Sequence, residues 1–276
     1  MKKYCLFFVA LAALLVSCSK DNGTSVLKIK ASKYTQAGDS KVVLESNYAV
    51  WAPGDKIKIN GVIKTVGEAG NDIEIEVDTA DSYTLVYPSS LGTTNGAANI
   101  PVTLSNTQFY QSYQSISGVR QNIAAPMLGY VSGSRPTEML LTNLCALVRF
   151  RVGNAFLSST TNTVQVKNIS FVALGANLSG SGEVQNVAST PKLVMGTPNF
   201  FTGSVSLDCS YSRRIAYALS LDYYLVVPPT ECGPGALVTV TYQLNSDPDS
   251  AYKLELNRAL RFESGRIYNI DVYLGM

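Results

Sequence analysis

Apolar and polar residues alternate with a period of two through most of the chain, the pattern of strands with one buried face. Leu27, Ile29 and Ala31 alternate with Lys28 and Lys30 and predict a first strand over Leu27 to Ala31. Lys56 to Ile59 alternates, Asn60-Gly61 gives a two-residue hairpin signal, and Val62, Ile63 and Val66 continue beyond it. Asp72 to Asp78 sets four acidic side chains on one face and Ile73, Ile75 and Val77 on the other. Charge on such a face keeps an exposed strand solvated, and this outweighs a paired-carboxylate catalytic reading. Further strands are expected at Val42 to Glu45, Tyr83 to Tyr87, Ile100 to Leu104 and Pro126 to Val131. In the second half, Ala146, Val148, Phe150 and Val152 share one face of a strand, and Arg149 and Arg151 share the other. Val164 to Leu174 changes phase at Asn168, which predicts a bulge. Leu178 to Gly182 reads as a turn. Strands then follow at Val205 to Cys209, Tyr223 to Val227, Val238 to Leu244, Tyr252 to Leu256 and Tyr268 to Leu274. No segment of helical length after the first 20 residues shows a 3.6-residue period, so an all-β chain of sandwiches is expected, with roughly seven strands in each half.

The first 20 residues break this pattern. Lys2 and Lys3 precede an apolar run from Leu6 to Val16 that is too short to span a bilayer as a stable helix. This is the form of a removable export signal. The run ends in Leu15-Val16-Ser17-Cys18, which resembles a lipobox, where the signal is cut before a cysteine that then carries diacylglycerol. Several acyl chains on Cys18 would anchor the chain far more firmly than one. Ser19-Lys20-Asp21-Asn22 is similar to the polar export signals of surface-displayed lipoproteins in the Bacteroidetes.

Composition narrows the functional classes. The chain has 22 basic and 20 acidic residues, and loss of Lys2 and Lys3 leaves the mature form neutral. No basic footprint for nucleic acid is visible. The sequence contains no histidine, which removes Ser-His-Asp and Cys-His catalysis and the commonest metal ligand. Cys145, Cys209 and Cys232 remain beyond the lipobox. An oxidising compartment permits a Cys209–Cys232 bridge, although cysteines in alternating strands are more often small buried hydrophobes. Ser25-Val26-Leu27-Lys28 matches SxxK, but it lies on a strand and lacks the partner motifs. The Gly- and Ser-rich stretch Gly175 to Gly182 is followed by neither GK[ST] nor a helix, as a phosphate cradle would require. No cofactor, metal or catalytic residue is expected.

These features together resemble the fimbrillin-like family of the Bacteroidetes, which includes major and minor subunits of type V pili. The resemblance is carried by the lipobox, by Trp51-Ala52-Pro53-Gly54-Asp55-Lys56-Ile57, Tyr87-Pro88 and Ala125-Pro126-Met127-Leu128, and by Leu144 to Phe150. Leu178-Ser179-Gly180 and Phe262 to Tyr268 complete it. The resemblance implies two tandem transthyretin-like β-sandwich domains after a lipoprotein signal peptide. The expected divisions are a signal peptide over 1–17, a lipidated linker over 18–25, an N-terminal sandwich over 26–136 and a C-terminal sandwich over 137–276, with the boundary at Gly133-Ser134-Arg135-Pro136.

It also implies assembly by strand exchange. A protease removes the first strand, and the C-terminal segment of a neighbour fills the groove. In this sequence the removable strand is Leu27 to Ala31, and Lys30 and Lys33 are the candidate cut sites. Tyr268, Ile270, Val272 and Leu274 are the candidate donor positions. The last strand completing its own domain is the alternative. No Arg precedes Arg120, which departs from the Arg-specific processing of the family. The implied role is a non-catalytic pilus subunit or surface adhesin, lipid-anchored in the outer membrane, with other fimbrial subunits or itself as partners. A surface glycan-binding lipoprotein is the alternative, with Trp51, Phe109, Tyr110 and Tyr113 as candidate stacking residues.

Overall fold

The computed structural model describes residues 24–31, 35–36, 51, 53–68, 70, 72–92, 99–115, 118–156, 159–196 and 203–275. Among them every regular element is a strand. The first half contains β1 (Thr24–Ala31), β2 (Thr35–Gln36), β3 (Lys56–Ile59), β4 (Val62–Thr65), β5 (Asp72–Asp78) and β6 (Ser82–Tyr87). It continues with β7 (Ile100–Leu104), β8 (Thr107–Phe109), β9 (Gln111–Ser115), β10 (Gly118–Asn122), β11 (Met127–Ser132) and β12 (Glu138–Asn143). The second half contains β13 (Ala146–Asn154), β14 (Thr163–Ala173), β15 (Gly180–Gln185), β16 (Lys192–Met195), β17 (Gly203–Asp208) and β18 (Ile215–Ala216). It ends with β19 (Ser220–Val227), β20 (Thr230–Cys232), β21 (Ala236–Leu244), β22 (Ser250–Leu256), β23 (Leu260–Phe262) and β24 (Arg266–Leu274). The expected strand at Val42 to Glu45 lies outside the described residues.

Strands of the first half form one sheet in the order β4-β3-β6-β11-β12-β1-β5. The β11–β12 ladder is only two pairs long, Met127 with Asn143 and Leu128 with Thr142. Residues from both sides of this weak joint meet in one core, including Leu27, Ile29, Ile57, Leu85, Met139 and Leu141. The sheet thus folds over its own apolar face, as a sandwich does. Asn60 and Gly61 both have positive φ, 45° and 85°, the backbone that a two-residue hairpin between β3 and β4 needs.

The second half is a sandwich of two sheets, β19-β13-β24-β2 and β22-β21-β14-β17-β8. Val148, Phe150 and Val152 of β13 face Ile169 and Phe171 of β14 and Val238 and Val240 of β21 in its core. Fully burying each such side chain contributes about 1.5–3 kcal/mol. The phase change expected near Asn168 is a register shift between Val166 and Asn168 against β21.

Two expectations are corrected. The Gly133-Ser134-Arg135-Pro136 turn joins β11 to β12, and β12 pairs with β11 and β1, so this turn lies inside the first sheet. Local turn chemistry marked a change of direction there, but carried no information about which sheet the next strand would join. Gly180 to Gly182, read as part of a turn, opens β15, which pairs with β16 and with β7 of the first half. Gly182 fits a crowded ladder: a Cβ there would meet the Val194 carbonyl oxygen at 2.5 Å. Arg149, which shares a face of β13 with Arg151, is completely buried. That face of β13 is covered, since Leu147 on it packs with Val226 and Ile267 in a third apolar cluster.

This third cluster draws on both halves. Ile100, Val102 and Leu104 of β7 pack there with Leu144, Cys145, Val184 and Leu193. Beside it, the Gln108 side chain donates from Nε2 to the Val226 carbonyl (2.7 Å), and its Oε1 accepts from the Val226 N–H (2.9 Å). One side-chain amide thereby extends the ladder of β19.

Candidate functional site

The first and last strands of the described chain sit at comparable positions in their own sheets. β1 lies between β5, antiparallel, and β12, parallel. β24 lies between β13 and β2, parallel to both.

β1 is seated by its alternation. Leu27 and Ile29 have no exposed surface, while Val26, Lys28 and Lys30 point outward. Lys30 Nζ donates to Glu138 Oε1 on β12 at 2.8 Å, and Lys28 Nζ lies 3.4 Å from Asp72 Oδ2 on β5. The hydrogen bond to Glu138 holds the Lys30 ammonium above its ordinary pKa, against a small opposing effect of desolvation. Lys30 pairs with Leu140 on one side and Asp72 on the other, so its backbone is inside the sheet. Lys33 and Cys18 lie outside the described residues.

β24 runs in register with β13 from Leu147 opposite Ile267 to Asn154 opposite Leu274. Val272 and Leu274 are buried in the second core, and Tyr268 and Ile270 pack against it half-exposed. The four candidate donor positions therefore share one face and complete the chain's own second sandwich. On the opposite edge of β24, Thr35 and Gln36 pair with Arg266 and Ile267. Among the described residues the ladder on that edge stops there. Arg151 on β13 pairs with Asp271 and binds Asp222 Oδ1 on β19 through Nε at 3.1 Å, which together with Asp271 raises its pKa. Arg149 Nη1 is 3.7 Å from Asp222 Oδ2. The alternating sequence around Arg149 gave no sign that its face would be covered.

The four candidate stacking aromatics do not form one surface. Trp51 is buried in the first core, edge-on to Tyr87 with centroids 5.2 Å apart. Tyr110 is buried in the second, 5.2 Å from Tyr223. Phe109 is placed as expected, 61% exposed. Tyr113 lies on β9, in a hairpin with β10. Phe109 borders a cleft of about 450 Å³ with Asp55, Lys56, Tyr87, Gln108 and Tyr224. Burial pushes the Tyr224 hydroxyl pKa up, with Asp222 adding to the shift and the two neighbouring arginines opposing it. Cys145, Cys209 and Cys232 are all buried and unpaired, without the Cys209–Cys232 bridge that the compartment would permit. Among the described residues no group of three Cys, Asp or Glu side chains is placed to hold a metal.

No family model matches the chain, and no curated protein matches it. Solved structures do. A protein from Bacteroides ovatus, described as a candidate for cell adhesion, is 14% identical with a TM-score of 0.50, over 91% of this chain and 92% of its own. Similarly described proteins from Bacteroides uniformis (13% identical, TM-score 0.47, 91% and 93% covered) and Bacteroides fragilis (11%, 0.48, 92% and 94%) also match. At 14% identity, what the Bacteroides ovatus structure establishes is the fold: this chain is an all-β protein of the same sandwich architecture.

Proposed function

We propose that this protein is a non-catalytic surface subunit, a pilus component or adhesin, exported as a lipoprotein through Cys18, held at the outer membrane and assembled by strand exchange. The observation that carries the reading is the seat of β1, an N-terminal strand inserted between β5 and β12 whose Leu27 and Ile29 fill an apolar slot. A strand in such a seat gains ladder hydrogen bonds along its length and places alternate side chains in pockets, so another strand of the same pattern can replace it. The cell-adhesion description of the Bacteroides ovatus structure runs in the same direction. Lys30 is enclosed in the ladder, which disfavours it as a cut site, because a protease needs an accessible, unpaired backbone; Lys33 is kept as the proposed cut site. β24 is the donor segment for a neighbour, leaving its place beside β13.

Limited digestion of the purified chain with a lysine-specific protease tests this. The expected result is a cut near Lys33 followed by growth of oligomers in size-exclusion chromatography. A chain that is cut there and stays monomeric would exclude a polymerising subunit and favour an anchor or accessory role that keeps its first strand.

A second reading, sugar binding, is favoured by one observation, the exposed Phe109 beside a cleft with polar walls. Binding of the intact monomer on a glycan array, abolished by Phe109→Ala, is its expected signature. An array without signal excludes it.

A further inference from the structure

The face of the first sheet opposite its core is strongly acidic around β1. Asp72, Glu74, Glu76 and Asp78 of β5 and Glu138 of β12 all point outward there. They line both sides of a single strand. In the registers, Thr24, Val26, Lys28 and Lys30 stand opposite Asp78, Glu76, Glu74 and Asp72, and Lys28 also stands opposite Glu138. The cations on these three strands are Lys28 and Lys30, at 3.4 Å from Asp72 and 2.8 Å from Glu138. Removing β1 takes away both ammonium groups and leaves five carboxylates around an empty apolar slot.

β24 is a poor match to that slot. With Ile270, Val272 and Leu274 turned inward as they are now, the positions on its other face are Ile267, Asn269, Asp271 and Tyr273. None is basic. Asp271 would enter a row of carboxylates, and like charges on neighbouring strands repel. In its own sheet the same Asp271 faces Arg151, a partner that β5 and β12 do not offer.

We propose that the seat of β1 selects its occupant by charge: it takes an extended strand with apolar residues inward and Lys or Arg outward, and it disfavours the β24 of a second copy. Resting on the strand-exchange reading, this makes the preferred partner a different subunit carrying a basic amphipathic strand, which outcompetes a second copy of this chain for the slot when both are present.

Two measurements separate this inference from the reading beneath it. The first uses the intact chain with Lys28→Asn and Lys30→Asp, which gives β1 the outward polarity of β24. Amide exchange in β1 is expected to quicken about tenfold at low ionic strength, from two lost exposed ion pairs and new repulsion. The difference is expected to shrink near 1 M salt, where the Debye length is about 3 Å. The exchanged pair Lys30→Glu with Glu138→Lys is expected to restore the original rate. Unchanged exchange in the first variant, or no recovery in the second, would overturn charge selection.

The second measurement follows labelled peptides binding to the protease-cut chain. A peptide with the sequence of Thr24 to Ala31 is expected to bind about tenfold tighter than one with the sequence of Arg266 to Leu274. Replacing Asn269 and Asp271 by Lys in the latter should close the gap. Equal affinities of the unmodified peptides overturn the inference. If neither peptide binds while the exchange result holds, strand exchange fails and charge selection of β1 stands.

Discussion

Leu27→Ala should open the first sheet and leave the second closed. Leu27 has no exposed surface and sits opposite Ile75 in the first core. The substitution removes three carbon groups, worth about 2.4 kcal/mol of transfer free energy at about 0.8 kcal/mol each. A cavity term adds to this when the surroundings fail to collapse, up to a total of about 5 kcal/mol. Collapse is hindered here because β1 is tied by seven register pairs to β5 and four to β12. The expected loss is therefore about 3–5 kcal/mol. Val26→Ala on the same strand, at a position 54% exposed, should cost less than about 0.5 kcal/mol. Hydrogen exchange read by mass spectrometry tests both. Protection of β1, β5 and β12 should fall about 100- to 4,000-fold in Leu27→Ala, at 1.4 kcal/mol per factor of ten. Amides of β14 and β21 should keep theirs. A loss below about 1 kcal/mol would show that β1 is not seated in the core. Equal losses in β14 and β21 would show that the two sandwiches open as one unit.

Arg149→Met should be neutral to about 2 kcal/mol stabilising in urea titration, because burying a guanidinium is costly and Asp222 keeps Arg151 at 3.1 Å and partial solvent access. A loss of more than about 2 kcal/mol would overturn this. The thiols should resist a water-soluble thiol reagent at neutral pH and react once the chain is unfolded. Burial pushes Cys232 up to about 11, and Cys145 and Cys209 further. A buried thiol holds its proton longer folded than unfolded. Its stabilisation is complete below the free-thiol pKa of about 8.5 and is lost as pH rises through the folded value. Melting temperature should accordingly fall between about pH 8.5 and 11, and a flat profile there would refute the burial of these groups. Gly182→Ala should cost about 1–3 kcal/mol, as its Cβ would strike the Val194 carbonyl, whereas Gly67→Ala, with nothing within 4 Å, should be silent. Comparable melts for the two would refute the close approach of β15 and β16.

What was legible in the sequence depended on short-range signals. The hairpin at Asn60-Gly61, the acidic outer face of β5 and the bulge near Asn168 each follow from residues within one strand or turn. The two ends of the candidate site were legible for the same reason, since β1 and β24 both alternate cleanly. Their neighbours were not. That β1 inserts between β5 and β12, or that Thr35 and Gln36 pair with β24, depends on contacts across the fold. Alternation identifies two faces but not what covers each one, which is why neither the burial of Arg149 nor that of Tyr110, a candidate stacking residue, was legible. The acidic surround of β1 needed both levels: the carboxylates of β5 are evident in the chain, but only the register sets them beside Lys28 and Lys30.

The pairing of β13 with β24 also sets a clock. Leu147 meets Ile267 across 120 intervening steps of chain, so the second sandwich cannot close until β24 is available. Long-range closure of this kind is slow to nucleate. At about 5–20 residues per second of synthesis, β13 exists for roughly 6–24 s before its partner is made. Throughout that interval Val148, Phe150 and Val152 lack one wall of their sheet. Until β24 arrives, that edge of β13 stays open to pairing with any other extended segment.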